Sequence, residues 1–297
     1  MLFPRSNRHT GFSLVELIIV IGVIGLLLGL LLSAVQSARE SSARIACLNN
    51  LKQIGLALHN HHDIFGQLPP QPAKIGSNDP NAWLSWMALI LPEIEQSGLW
   101  NDTLQAFTSV RQPWINPPHL GYSTVVRLYI CPDDYRLYVP KYTQGGGIAA
   151  YSSYLGVGGG RSWDGTLGMP GPGIRFSQIT DGMSQTLILG ERPPPDTFVA
   201  GRWYTSASPA AFSFSGPDEG MLVESPNVPG DLCNGPFRYG PGRTNNSCDR
   251  FHFWSLHPGG ANFLLADGSI HFLPYSAVSV MVPLATRAGG EVIDFEW

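Results

Sequence analysis

From Leu14 to Leu32 every residue is aliphatic or glycine except Glu16. As a helix, about 19 residues rising 1.5 Å each nearly match the hydrocarbon thickness of a bilayer, so this run constrains the chain more than any other feature. No second stretch of this kind occurs in the sequence, which predicts a single pass. The flanking charges do not orient it: Arg5 and Arg8 precede the run, and Arg39, Arg44 and Lys52 follow it. An ordinary secretory signal would be a shorter apolar run followed by a small-residue cleavage site. Ser33 to Ala38 is the stretch that could serve as one, and cleavage after Ala38 would release a secreted protein.

Glu16 separates these readings. A carboxylate within a bilayer costs about 2.5–3.5 kcal/mol on insertion scales and calls for a partner. It stands in Gly11-Phe12-Ser13-Leu14-Val15-Glu16-Leu17, behind a short basic leader and ahead of the long apolar run. This arrangement resembles the type IV prepilin signal. The resemblance implies that a prepilin peptidase cuts between Gly11 and Phe12, that the new amino terminus of Phe12 is N-methylated, and that Glu16 pairs with the terminal amine of a neighbouring subunit. Because that peptidase works at the cytoplasmic face, the rest of the chain is expected to be exported. Gly22, Gly25 and Gly29 recur at three and four residues and would let helices of other pilin-like subunits approach closely.

Past Leu32 the pattern becomes amphipathic, with Val35, Ala38, Ile45, Leu48, Leu51, Ile54 and Leu58 repeating at helical intervals. One helix from about Ser13 to His61 would be roughly 70 Å long, half in lipid and half packed on a globular domain. Gly66 and the Pro69-Pro70 pair end it. The organisation expected is a leader at 1–11, a transmembrane half at 12–35, an amphipathic half at 36–65 and an exported domain at 66–297. His59, His61, His62 and Asp63 could suggest a metal site, but without a placed third ligand they read as a polar helix end, where the dipole favours cations.

The chain carries 34 glycines and 25 prolines, all but five and one of them from residue 66 onward, a punctuation suited to short strands and long loops. With 13% charged residues and a net charge of -4, it offers no basic surface for nucleic acid. A helix is expected around Ser85 to Trp100, restarted at Pro92. Strands are expected at Thr124–Ile130, Tyr151–Val157, Thr186–Glu191, Phe198–Tyr204, Ala261–Ala266 and Ser269–Leu273. Asp267-Gly268 between the last two reads as a two-residue hairpin turn with positive φ at both positions. The predicted fold class is α+β, pilin-like: a long N-terminal helix on a mainly antiparallel sheet. Four cysteines allow three pairings. Those predicted are Cys47 with Cys131, stapling helix to sheet, and Cys233 with Cys248, closing a loop, as an oxidising compartment permits.

Five stretches together resemble one large bacterial family of prepilin-like proteins with a C-terminal domain of unknown function. They are Ala46 to Asn60, containing Cys47-Leu48-Asn49-Asn50-Leu51-Lys52-Gln53; Cys131-Pro132-Asp133; Ile179 to Thr186, containing Thr180-Asp181-Gly182; Leu284 to Glu291; and His257-Pro258-Gly259-Gly260-Ala261-Asn262 running to Asp267-Gly268. The last matches a signature of His, nine residues, then Asp-Gly, associated in the family with prepilin processing. The resemblance implies a type II secretion pseudopilin or type IV pilin-like subunit. Its place would be the inner membrane with the domain periplasmic, or the cell surface once assembled.

No Gly-x-Ser-x-Gly elbow, His-Glu-x-x-His helix or Walker loop occurs, so no enzyme is expected. His257 and Asp267 also have a purely conformational reading as a strand cap and a hairpin turn. No cofactor is expected, with Ca²⁺ on Asp181 or Asp267 as the alternative, since similar pseudopilins carry that ion in sheet loops. A surface module using Trp and Tyr to bind carbohydrate or protein is the second function class. A secreted hydrolase is the third.

Overall fold

The computed structural model describes residues 13–70, 83–143, 146–168, 171–205, 218–226, 233–291 and 293. The chain forms two compact units that meet in sequence between Ala43 and Arg44. The processing positions Gly11 and Phe12 lie outside the described residues.

The first unit is the leading part of helix α1 (Leu14–Phe65). Every residue from 13 to 42 is exposed, including the aliphatic run, whose large side chains are 46% to 73% accessible. The segment is long and apolar enough to cross a membrane. An all-round apolar helix with nothing packed on it would be insoluble in water and is at home in lipid.

In the second unit α1 presents Cys47, Leu51, Ile54, Leu58 and His61 inward, at alternating four- and three-residue steps that keep one face on the core. Val35 and Ile45, expected on that stripe, are instead exposed at 60% and 57%. Ile45 lies two residues, or about 200°, from the Cys47 direction. Gly55 sits on the inward face, where an added Cβ would come within 2.9 Å of Leu264.

That leucine belongs to the central sheet of five strands, β1 (Tyr154–Gly159), β2 (Leu187–Glu191), β3 (Gly220–Leu222), β4 (Gly260–Leu265) and β5 (Ile270–Pro274). Its order is β3-β1-β2-β4-β5, antiparallel throughout except for β1 with β3. Alternation along β4 feeds two cores. Leu264 joins the cluster holding Leu51, Ile54, Leu58, Trp86, Tyr129 and Trp203, whereas Ala261, Phe263 and Leu265 join Leu155, Leu273, Met281 and Leu284 on the other face.

The β4–β5 hairpin forms where expected, with Leu264 opposite Ile270, but by a different turn. Gly268 N–H donates to Leu265 C=O at 3.0 Å and Leu265 N–H to Ser269 C=O at 2.9 Å, and only Gly268 has positive φ, at 81°. This is a three-residue connection, a type I turn closed by a left-handed glycine. Asp267 Oδ1 fixes it by accepting from the Ser269 N–H and hydroxyl.

Other expectations change. The helix at Ser85–Trp100 is broken into Trp86–Leu89, a 3₁₀ turn at Pro92–Ile94 and α2 (Ser97–Ser109), with left-handed Glu95 marking the break. Thr124–Ile130 holds a 3₁₀ turn at Arg127–Tyr129 that still buries Val126, Tyr129 and Ile130. Phe198–Tyr204 contributes a single bridge, Arg202 to Tyr151, and drives Trp203 and Tyr204 into the core. Strand β3, with three residues, is too short to carry a period.

Buried His119 sits between Tyr204 OH at 3.1 Å and Val110 C=O at 2.7 Å. Burial pushes its pKa below the ordinary value, against the opposing pull of the Val110 carbonyl. The folded ring therefore favours the neutral form, while the unfolded chain takes up a proton as pH falls below about 6.5. Stability associated with His119 is thus full above that pH and lost on acidification. Thermal midpoints at pH 7.5 and 5.5 are expected to fall further for the parent than for His119→Gln; equal falls would contradict this assignment.

Candidate functional site

The family motifs converge through hydrogen bonds. On α1, Asn50 Nδ2 donates to Ile130 C=O at 2.9 Å, and Lys52 Nζ donates to Gly268 C=O at 2.8 Å. His59 Nε2 lies 3.0 Å from Ala266 C=O. The 46–60 motif thereby touches both the Cys131 step and the Asp267-Gly268 turn. The Asp181 carboxylate accepts the Gly289 and Gly290 N–H groups at 2.6 and 2.9 Å, and Thr286 OH at 3.3 Å, which fastens the 284–291 tail. Asp267 N–H donates to Met183 C=O, and Ala266 N–H to Thr186 C=O, joining the remaining pair of motifs. Each motif is a seam between elements distant in sequence. The Asp181 and Asp267 carboxylates, expected as Ca²⁺ candidates, each serve such a turn.

The two ends of the His-x(9)-Asp-Gly signature part company, because β4 lies between them. Asp267 is exposed at the hairpin tip, whereas His257 is buried ahead of the strand. His257 Nε2 is 3.5 Å from Glu191 Oε1 and 3.5 Å from Cys131 Sγ, and its Nδ1 is 3.3 Å from Asp133 Oδ2. Cys131 is disulfide-bonded to Cys47, and Cys233 to Cys248. Glu191, on β2, is held from behind by β4: Asn262 N–H donates to Oε2 at 2.7 Å, and Asn262 Nδ2 lies 3.1 Å from each carboxylate oxygen. Burial lowers the His257 pKa, but Glu191, by hydrogen bond and charge, and Asp133 outweigh it and leave the ring more basic than usual. The result is a histidine ring biased toward its protonated form, between two carboxylates and against a disulfide, and His257, Glu191, Cys47 and Cys131 are all buried. Glu191 and Asp133 were legible as acidic residues near the motifs. Their approach to the Cys47–Cys131 bridge was not, since it requires β2, β4 and α1 to be assembled.

The histidines near the end of α1 go three ways. His59 meets Ala266, His61 Nδ1 lies 3.2 Å from Gln67 C=O, and His62 accepts from Phe176 N–H while stacking on its ring at 3.9 Å. Glu16 lies in the first turn of α1, where its Oε2 accepts the Ser13 N–H at 2.9 Å. Around Gly22, Gly25 and Gly29 an added Cβ would meet nothing within 4 Å.

An apolar N-terminal helix with one early glutamate, continuing into an α+β domain, defines a pilin-like protein. A family profile described as "Protein of unknown function (DUF1559)" matches residues 36–277, and one described as "Prokaryotic N-terminal methylation motif" matches residues 6–32. The chain belongs to the DUF1559 family of prepilin-like proteins. No curated protein matches it, and neither does any solved structure.

Proposed function

We propose that this protein is a non-enzymatic structural subunit. A prepilin peptidase cuts it between Gly11 and Phe12, and α1 anchors it in the cytoplasmic membrane with its domain on the outer side. It then joins other pilin-like subunits, through that helix, in a type II secretion or type IV pilus-like assembly. The N-terminal methylation motif carries this reading, supported by a glutamate at the start of an otherwise apolar helix. The glutamate's cost in lipid is offset when a neighbouring subunit's terminal ammonium reaches it. The binding-module alternative gains no support from the tryptophans, although Tyr135, Tyr138 and Tyr142 are exposed. Trp86, Trp203 and Trp254 are buried, and among the described residues only Trp163 of the tryptophans is exposed.

Mass spectrometry of the membrane-extracted native protein is expected to find a start at N-methylated Phe12. A start near Gln36 or Ser41, or an uncut Met1, would retire the proposal. Glu16→Ala is expected to leave cleavage intact and to lower cross-linked multimers about tenfold to a hundredfold, the loss of one charge-assisted hydrogen bond per contact. Undiminished cross-linking would count against assembly through Glu16.

A further inference from the structure

We propose that, when the Cys47–Cys131 bridge is reduced, Cys47, Cys131, His257 and Glu191 form a buried tetrahedral Zn²⁺ site. The four ligand atoms already lie within 4.8 Å of one another, and all four residues are buried. Bonds of about 2.0–2.3 Å to N, O and S at tetrahedral angles place neighbouring ligand atoms about 3.4–3.8 Å apart. His257 Nε2 is at 3.5 Å from both Cys131 Sγ and Glu191 Oε1, so two edges of that tetrahedron exist before any metal enters. Parting the two sulfurs supplies the remaining room.

The surroundings are those of a metal centre as well. A zinc-bound histidine typically directs its other ring nitrogen at a carboxylate, and His257 Nδ1 faces Asp133 Oδ2 at 3.3 Å. That nitrogen has no hydrogen bond among the described residues. A ligating carboxylate is itself held by hydrogen bonds, and Asn262 holds Glu191 through its backbone and side chain. Ser153 Oγ accepts the Cys131 N–H at 2.9 Å, fixing one cysteine independently of the bridge. The elements carrying the ligands, α1, β2 and the segments before β4 and after Ile130, are positioned by the cores. The set is two soft thiolates, one imidazole and one carboxylate, which suits zinc over calcium or magnesium.

The exchange balances as follows. A water-soluble phosphine and one water convert the disulfide to two thiols and the phosphine oxide. Zn²⁺ then displaces both thiol protons and the proton on His257 Nε2. The protein therefore has two alternative closures at one point, a covalent bridge or a metal.

The test uses the full chain in detergent micelles with Cys233→Ser and Cys248→Ser, so that a single cysteine pair remains. After phosphine reduction under argon and its removal, Co²⁺ is titrated as a spectroscopic stand-in for Zn²⁺. One cobalt per chain is expected, with the intense d–d bands of tetrahedral coordination and a thiolate charge-transfer band, both erased by added Zn²⁺ and absent in the oxidised protein. Asp133→Asn, on a partly exposed side chain, is expected to weaken binding about 10- to 100-fold, and His257→Ala at least as much. If the reduced metal-free chain loses its near-ultraviolet circular dichroism, Zn²⁺ is expected to restore it. The proposal is overturned if two titratable thiols coexist with no tetrahedral bands, if those bands survive His257→Ala unchanged, or if zinc fails to restore a reduced, unfolded chain.

Discussion

Replacing Glu191 with leucine in the oxidised protein is expected to lower the stability of residues 44–297 by about 3–5 kcal/mol, the range for removing one partner of a buried charge pair. The carboxylate receives the Asn262 backbone and side-chain donors and faces His257, so its loss orphans two donors and leaves the histidine with only the partly exposed Asp133 as a counter-charge. The apolar area gained from leucine is worth at most about 2–3 kcal/mol and cannot satisfy those donors. Urea unfolding followed by tryptophan fluorescence would register the change as a lower midpoint at unchanged slope. A loss under about 1 kcal/mol would mean that His257 is neutral and Asn262 finds water, and that the cluster is wetter than its burial implies.

The second large effect separates the two disulfides. Cys47–Cys131 spans 84 residues and Cys233–Cys248 spans 15. If each acts by restricting the unfolded chain, replacing the first pair with alanines costs about 4.5 kcal/mol and replacing the second about 3 kcal/mol. The longer bridge is also fully buried beside His257, so its removal opens a cavity next to a polar ring, whereas the shorter one packs with Phe237 and Phe251 in a small satellite cluster. Denaturation of the two double variants is expected to preserve that order. The reverse order would show that native strain or residual unfolded structure dominates the loop entropy.

The helix, its end at Gly66 and the last hairpin were legible in the sequence because each rests on local chemistry: an unbroken apolar run, a glycine with paired prolines, and Asp-Gly between alternating strands. The cysteine pairs form as predicted, although spacing left three pairings open and the segment before Cys131 is a 3₁₀ turn, not the expected strand. What escaped depends on partners distant in sequence. Thr124–Ile130 has the residues of a strand, but Val126, Tyr129 and Ile130 find the core from a 3₁₀ turn without a ladder. The turn at Asp267-Gly268 took three residues because Asp267 could fasten itself to Ser269. The His257 cluster was half visible. The histidine stood out by its motif, but its neighbours come from α1, the Cys131 step and β2, and no spacing within the chain announces that they meet.

The bridge from Cys47 to Cys131 also decides how the chain answers a pull. Tension entering along the start of α1 reaches Cys47 and passes through the sulfur bridge to Cys131, so the residues between them stay out of the load path. That separation of 84 positions, drawn straight, amounts to about 280 to 300 Å of slack. While the bridge is closed, that slack adds nothing to the distance between α1 and any point beyond Cys131, even if the domain gives way. Opening it turns the same molecule into a far longer, more compliant leash.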